Sequence, residues 1–151
     1  MIYEDRDIRE FDYSEYTIMH GCNAQGKMGS GIAKVIRETW PYAYEAYAKE
    51  HQLNGLDLGT VIPAVPSDPT KPVILNAITQ QFYGYDGKRY ASYEAIKSCF
   101  QQANYLMGLY ESSFLVMPKI GCGLGGCSWD IVETIANDTL VGNYGIIVVS
   151  I

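Results

Sequence analysis

His20-Gly21-Cys22-Asn23-Ala24-Gln25-Gly26-Lys27-Met28-Gly29-Ser30-Gly31-Ile32-Ala33-Lys34 is a polar, glycine-rich passage. It leads from an apolar run at 16–19, which reads as a buried strand, into a segment where Ile32, Val35, Ile36 and Trp40 recur at helical spacing. Glycines at 26, 29 and 31 let the backbone take positive φ and approach a guest without a Cβ in the way. The N–H groups that open the following helix favour an anion as that guest. A tight strand-to-helix turn has the same composition, and one short glycine motif does not separate the two readings.

A second loop of the same kind favours the first of them. Phe114-Leu115-Val116-Met117 reads as a buried strand, and a helical pattern opens at Trp129. Between them runs Pro118-Lys119-Ile120-Gly121-Cys122-Gly123-Leu124-Gly125-Gly126-Cys127-Ser128. In an open α/β sheet, ligands bind outside the carboxyl ends of the strands, so two such loops at neighbouring strand ends form one cleft. A diphosphate fits between them. Neither loop has the Gly-x-x-x-x-Gly-Lys-Ser/Thr pattern, and Gly121-Cys122-Gly123-Leu124-Gly125 falls one residue short of Gly-x-G-x-x-Gly.

The rest of the chain alternates strand and helix. Strands are expected at 1–8, 16–19, 58–65, 73–78, 114–117 and 145–151, and prolines interrupt the third of these. The run Val73-Ile74-Leu75-Asn76-Ala77-Ile78 is apolar enough to be a central strand covered on both faces. Pro41 is placed to start a helix carrying Tyr44, Tyr47 and Ala48 on one face, and the tyrosines at 42, 44 and 47 read as packing surface. A long amphipathic helix is expected at 90–110, with Tyr93, Ile96, Phe100, Ala103 and Met107 inward and Ser92 as its cap, and another at 128–140. The pattern predicts a three-layer α/β/α domain spanning 1–151, with a mixed, mostly parallel central sheet.

At 151 residues the chain has the length of one domain with a real core. No apolar run approaches the roughly 20 residues of a membrane span, and the first residues do not read as a signal peptide, so an intracellular, cytoplasmic protein is expected. The four cysteines, at 22, 99, 122 and 127, are expected to be reduced thiols. With histidines only at 20 and 51 and no CxxC pair, no metal site is expected, and nothing calls for a cofactor. The net charge of −6 argues against bulk nucleic-acid binding, because affinity for a phosphate backbone comes mainly from lysine and arginine.

In this order and spacing the two loops resemble the macrodomain family of ADP-ribose-binding modules. Asn23, a five-residue spacer and then Gly29-Ser30-Gly31-Ile32 follow that family's first loop. The His-x-Cys opening and Met117-Pro118-Lys119-Ile120-Gly121-Cys122-Gly123-Leu124, with Trp129 after it, are similar to one branch. That branch contains the yeast-type ADP-ribose 1″-phosphate phosphatases and the terminal ADP-ribose protein glycohydrolase. The resemblance implies that Asp7 accepts a hydrogen bond from the adenine amino group, with the Ile8 N–H beside it. It implies that Asn23 holds the distal ribose, and that Gly29, Ser30, Gly31 and Ile32 face the diphosphate from one side. Gly121, Cys122, Gly123, Leu124 and Gly125 cradle it from the other.

The branch's glycohydrolase uses a nucleophilic lysine just after the central strand and an aspartate in the second loop; the corresponding positions here are Gln80 and Gly125. Glutamine cannot form the covalent adduct of a lysine amine. Lys27 or Lys88 would substitute only if their loops fold back onto the distal ribose. The phosphatase activity asks instead for positioning of a water and stabilisation of developing charge. Asn23 and His20 are the candidates nearest the distal ribose, His20 as a proton donor to the leaving oxygen or else as a core histidine closing the strand. The expected function is therefore an ADP-ribose-binding hydrolase that removes the phosphate from ADP-ribose 1″-phosphate or acts on a related ADP-ribosyl ester. The alternative is a non-catalytic reader or scavenger of ADP-ribose or an NAD-derived signal. Expected partners are ADP-ribose, ADP-ribose 1″-phosphate and ADP-ribosylated macromolecules.

Overall fold

The computed structural model describes residues 1–150. Its elements are β1 (Ile2–Glu4), a single 3-10 turn (Ile8–Glu10), β2 (Tyr16–Asn23), α1 (Gly31–Thr39), α2 (Pro41–Leu53), β3 (Val61–Ala64) and β4 (Val73–Gln80), followed by α3 (Tyr93–Tyr110), β5 (Phe114–Met117), α4 (Trp129–Thr139) and β6 (Gly145–Val149). Among the described residues the strands form one sheet in the order β1-β6-β5-β2-β4-β3. Every neighbouring pair is parallel except β3 against β4.

Alternation along the central strands explains the three layers. Met19, Leu75, Leu115, Met117 and Val148 pack with Ile96, Phe100, Ala103, Met107, Val132 and Ala136 of α3 and α4. Ile18, Ile74, Val116, Ile147 and Val149 lie in the opposite core with Ile36, Trp40 and Ala43 of the α1 and α2 region. On α3 the inward residues expected from spacing are buried, with Tyr93 half-buried at its first turn.

Several boundaries differ from expectation. The strand expected at 16–19 continues to Asn23, because His20, Gly21 and Cys22 pair with Asn76, Ala77 and Ile78 and, past a bulge, Asn23 pairs with Gln80. Cross-strand pairing thus overrides the local polar and glycine composition, and the glycine loop begins only at Ala24. The first strand stops at Glu4, short of 8, since Asp7 caps the 3-10 turn. The strand expected at 58–65 shortens to the antiparallel edge strand β3, where Pro63 is tolerated because an edge position needs no second ladder bond. The helix expected from 90 starts at Tyr93, because the Tyr90 and Ala91 N–H groups donate to the Gly125 carbonyl at 2.8 and 3.0 Å. The last strand ends at Val149, and residue 151 lies outside the described residues.

In the sheet β2 lies between β5 and β4, so the three loops that follow these parallel strands meet at one edge. Ser92 caps α3, its Oγ accepting from the Ala95 N–H at 3.2 Å. Ser92→Ala removes that acceptor and is expected to lower stability by about 1 kcal/mol in a urea melt.

Candidate functional site

The carboxyl ends of β5, β2 and β4 open into a cleft of about 730 Å³. Asn23, Gly29, Ser30, Gly31 and Ile32 line one side, and Gly121, Gly123, Leu124 and Gly125 the other. Thr79 and Gln80 of β4 and Tyr83, Gly84 and Tyr85 of the next loop complete the wall. The charged side chains on this lining are Lys27, Arg37 and Lys119, and among the described residues no aspartate, glutamate or histidine lines it. Lys27 and Lys119 form no ion pair there, whereas Arg37 stacks its guanidinium 4.2 Å from the Tyr44 ring centroid.

The first loop is shaped by Asn23. Its Oδ1 accepts from the Gln25 N–H at 2.9 Å and the Lys27 N–H at 3.4 Å, while its Nδ2 donates to the Lys27 carbonyl at 2.9 Å. Tyr47, buried on α2, donates its hydroxyl to the Asn23 carbonyl at 2.5 Å, and burial pushes that phenol up from its ordinary range. The loop then turns at Gly26, at φ +78°, where a Cβ would meet the His51 ring at 2.5 Å. Ser30 caps α1 in an extended conformation, and its Oγ accepts from the Tyr85 hydroxyl at 3.1 Å instead of from its own helix. The first N–H groups of α1 are left for a guest.

In the second loop, a side chain at Gly125 would come 2.7 Å from the Gly121 carbonyl oxygen and 3.0 Å from the Ala91 Cβ. The place where the resembling glycohydrolase keeps an aspartate is therefore closed to any side chain without backbone movement. Gln80 lines the cleft with its Nε2 donating to the Phe82 carbonyl at 2.8 Å. Lys88 is off the lining, 3.8 Å from the Asp86 carboxylate, and Lys27 is on it. Cys122 is not on the lining either: its thiol donates to the Ile120 carbonyl at 3.4 Å.

His20 is in the core, away from the cleft. It is 0% exposed, and its Nε2 lies 2.6 Å from Asn76 Oδ1. The Asn76 amide nitrogen already donates to the Ala43 and Ile62 carbonyls, so Oδ1 is an acceptor and the His20 proton sits on Nε2. Burial holds the imidazole neutral, with its pKa lowered to about 4. Of the two roles open to it from the sequence, the structure selects the core histidine. Asp7 and Ile8 also lie off the cleft lining. The Asp7 carboxylate accepts from the Arg9 N–H and guanidinium in a capping box completed by Glu10, and Arg9 holds it down to about 2. Ile8 is buried in the core beside α1.

All four cysteines are unbridged thiols. Burial raises each of them, Cys122 to about 11 and Cys99 to about 12, so none is poised as a thiolate. No group of three or more His, Cys, Asp or Glu able to hold a metal exists among the described residues. Tyr47, Thr79, Arg37, Tyr44 and Lys119 carry parts of this site that sequence spacing did not single out; only the helical tyrosine pattern had marked the face to which Tyr44 and Tyr47 belong.

The Macro domain family model matches residues 19–136, and the chain belongs to that family. A protein of Debaryomyces hansenii named ADP-ribose 1″-phosphate phosphatase is 32% identical over 142 residues, covering 78% of this chain and 79% of that one. The macrodomain of Mycobacterium tuberculosis DarG superposes with a TM-score of 0.84 at 19% identity, covering 98% of this chain and 95% of that one. Thermosipho africanus DarTG, solved in complex with ADP-ribose, superposes with a TM-score of 0.77 at 20% identity, covering 99% of this chain and 41% of that one. The three-layer fold expected from the sequence is thus that of macrodomains.

Because His20 has a folded-state pKa of about 4 against an ordinary 6.5, the unfolded chain binds the extra proton between these values. Its contribution to stability is complete above pH 6.5 and is lost as the pH falls towards 4, amounting to about 3 kcal/mol. Urea melts across that window are expected to show stability falling with pH, and a shallower slope in His20→Gln.

Proposed function

We propose that the protein binds ADP-ribose and hydrolyses ADP-ribose 1″-phosphate to ADP-ribose and inorganic phosphate. The observation that carries this reading is the charge of the cleft. In a chain of net charge −6, its lining has three cations, none of them in an ion pair among the described residues, and no carboxylate or histidine. Such a site suits a ligand with more than one phosphate group. The helix α1 N–H groups and the 121–125 loop take the diphosphate, and Lys27, beside Asn23, faces the additional phosphate.

The lining offers no thiolate, carboxylate or imidazole as nucleophile, which suits a reaction run by positioning. A water attacks the terminal phosphorus, the bond to the anomeric oxygen breaks, and that oxygen leaves as a hemiacetal hydroxyl after taking a proton from solvent. Lys27 and loop N–H groups stabilise charge on the equatorial phosphoryl oxygens, where little covalent chemistry is asked of the protein. Asn23 acts by holding the loop that carries Lys27 in place. The yeast relative's name agrees with this activity. ADP-ribosyl esters on macromolecules are the neighbouring substrate class, and a cytoplasmic setting accords with four unbridged thiols.

The second reading, a non-catalytic reader of ADP-ribose, draws on the same lack of carboxylate and imidazole groups in the cleft. Phosphate release from ADP-ribose 1″-phosphate separates the two. The wild type is expected to turn over, Lys27→Ala to lose about tenfold in kcat/KM, or about 1.4 kcal/mol, and Asn23→Ala to lose more because the loop loses its staple. Tight ADP-ribose binding without any phosphate release would establish the reader instead.

A further inference from the structure

Thr79 Oγ1 is the one buried side-chain polar atom without a hydrogen-bond partner among the described residues. The residue is 1% exposed, next to last in β4, and on the cleft lining. Gly21 of β2, which pairs with Ala77 and is also on the lining, lies beside it. A Cβ at Gly21 would fall 2.9 Å from Thr79 Oγ1 and 3.5 Å from Ile120 Cγ2. The absent side chain therefore leaves a small recess in the cleft floor, with a single hydroxyl at its back.

A hydroxyl buried without a partner destabilises the folded protein, and such groups are rare enough to call for a partner that arrives later. The walls of this recess identify that partner. Gly21 and the Ile120 methyl supply no charge, the Ile120 N–H is engaged with the Pro118 carbonyl, and the Cys122 N–H with that of Lys119. A phosphate oxygen would find no charge on these walls. A neutral group that both donates and accepts matches a threonine hydroxyl, and the alcohol of a sugar is such a group.

We propose that Thr79 is a ligand-contact residue, its buried hydroxyl in the recess beneath Gly21 bonding a hydroxyl of the sugar that lies beyond the diphosphate. This rests on the reading of the cleft as an ADP-ribose site. It makes Thr79 a determinant of specificity for ligands that carry that sugar over those that end at the diphosphate.

The test compares the wild type, Thr79→Val and Thr79→Ser by melting temperature without ligand and by calorimetric titration with ADP-ribose and with ADP. Valine keeps the branched shape that suits the strand and removes only the hydroxyl. Thr79→Val is expected to melt at the same temperature as the wild type or higher, to bind ADP-ribose about tenfold more weakly, and to bind ADP unchanged. Thr79→Ser is expected to retain the wild-type affinity for ADP-ribose within about threefold, since the bonding hydroxyl is kept. Unchanged ADP-ribose affinity in Thr79→Val overturns the proposal. So does an equal loss for ADP and ADP-ribose, or a lowered melting temperature that accounts for the loss through misfolding. If the wild type itself binds neither ligand, the ADP-ribose reading fails and this inference with it.

Discussion

Parallel pairing of β2 with β4, carried through to Asn23 opposite Gln80, is the contact on which the cleft depends. It draws four polar or small residues, His20 to Asn23, out of a loop and into the sheet. That brings the start of the glycine loop to the same edge as the ends of β4 and β5. His20 is consumed by this pairing: its hydrogen bond to Asn76 ties β2 to β4, and Asn76 in turn reaches α2 and β3 through the Ala43 and Ile62 carbonyls. A buried polar link of this kind is stable because every partner in it is satisfied.

Above that link the two loops are held by different means. Asn23 and Tyr47 fix the first through side-chain bonds, and the second folds on itself through the Cys127 N–H to the Gly121 carbonyl and the Gly126 N–H to that of Gly123, while its Gly125 carbonyl receives the Tyr90 and Ala91 N–H groups. The side chains of the lining then add positive charge to backbone N–H groups inside an acidic protein. Lys27, Arg37 and Lys119 gather positive charge at the cleft of a chain whose net charge is −6. With no carboxylate or imidazole on the lining, what the cleft offers a guest is positive charge and backbone N–H groups, which suits recognition of an anion.

Much of this is written in the amino-acid sequence. The alternation of strands and helices, the two-faced burial of 73–78, the inward stripe of α3 and the two glycine loops are local patterns of spacing and composition, and those are what a single sequence displays. What is not local is harder to see. Nothing in residues 20–23 announces that β2 runs on to Asn23, because the pairing that extends it comes from residues more than fifty positions away. The same pairing turned His20 from a candidate proton donor into a core histidine. Asp7 reads as a free carboxylate until Arg9 and Glu10 are seen to close a capping box around it. Thr79 is invisible in sequence, since an unpartnered hydroxyl is a property of its surroundings.

The central claim is that the two glycine loops are the two sides of one ADP-ribose cleft. It is tested most directly by following the backbone amide resonances of the protein as ADP-ribose is added. The largest shifts are expected on residues 29–32 and 121–125, with smaller ones along the loop at 24–28. Saturation that moves neither glycine loop, or shifts confined to β3 and α3, would contradict it.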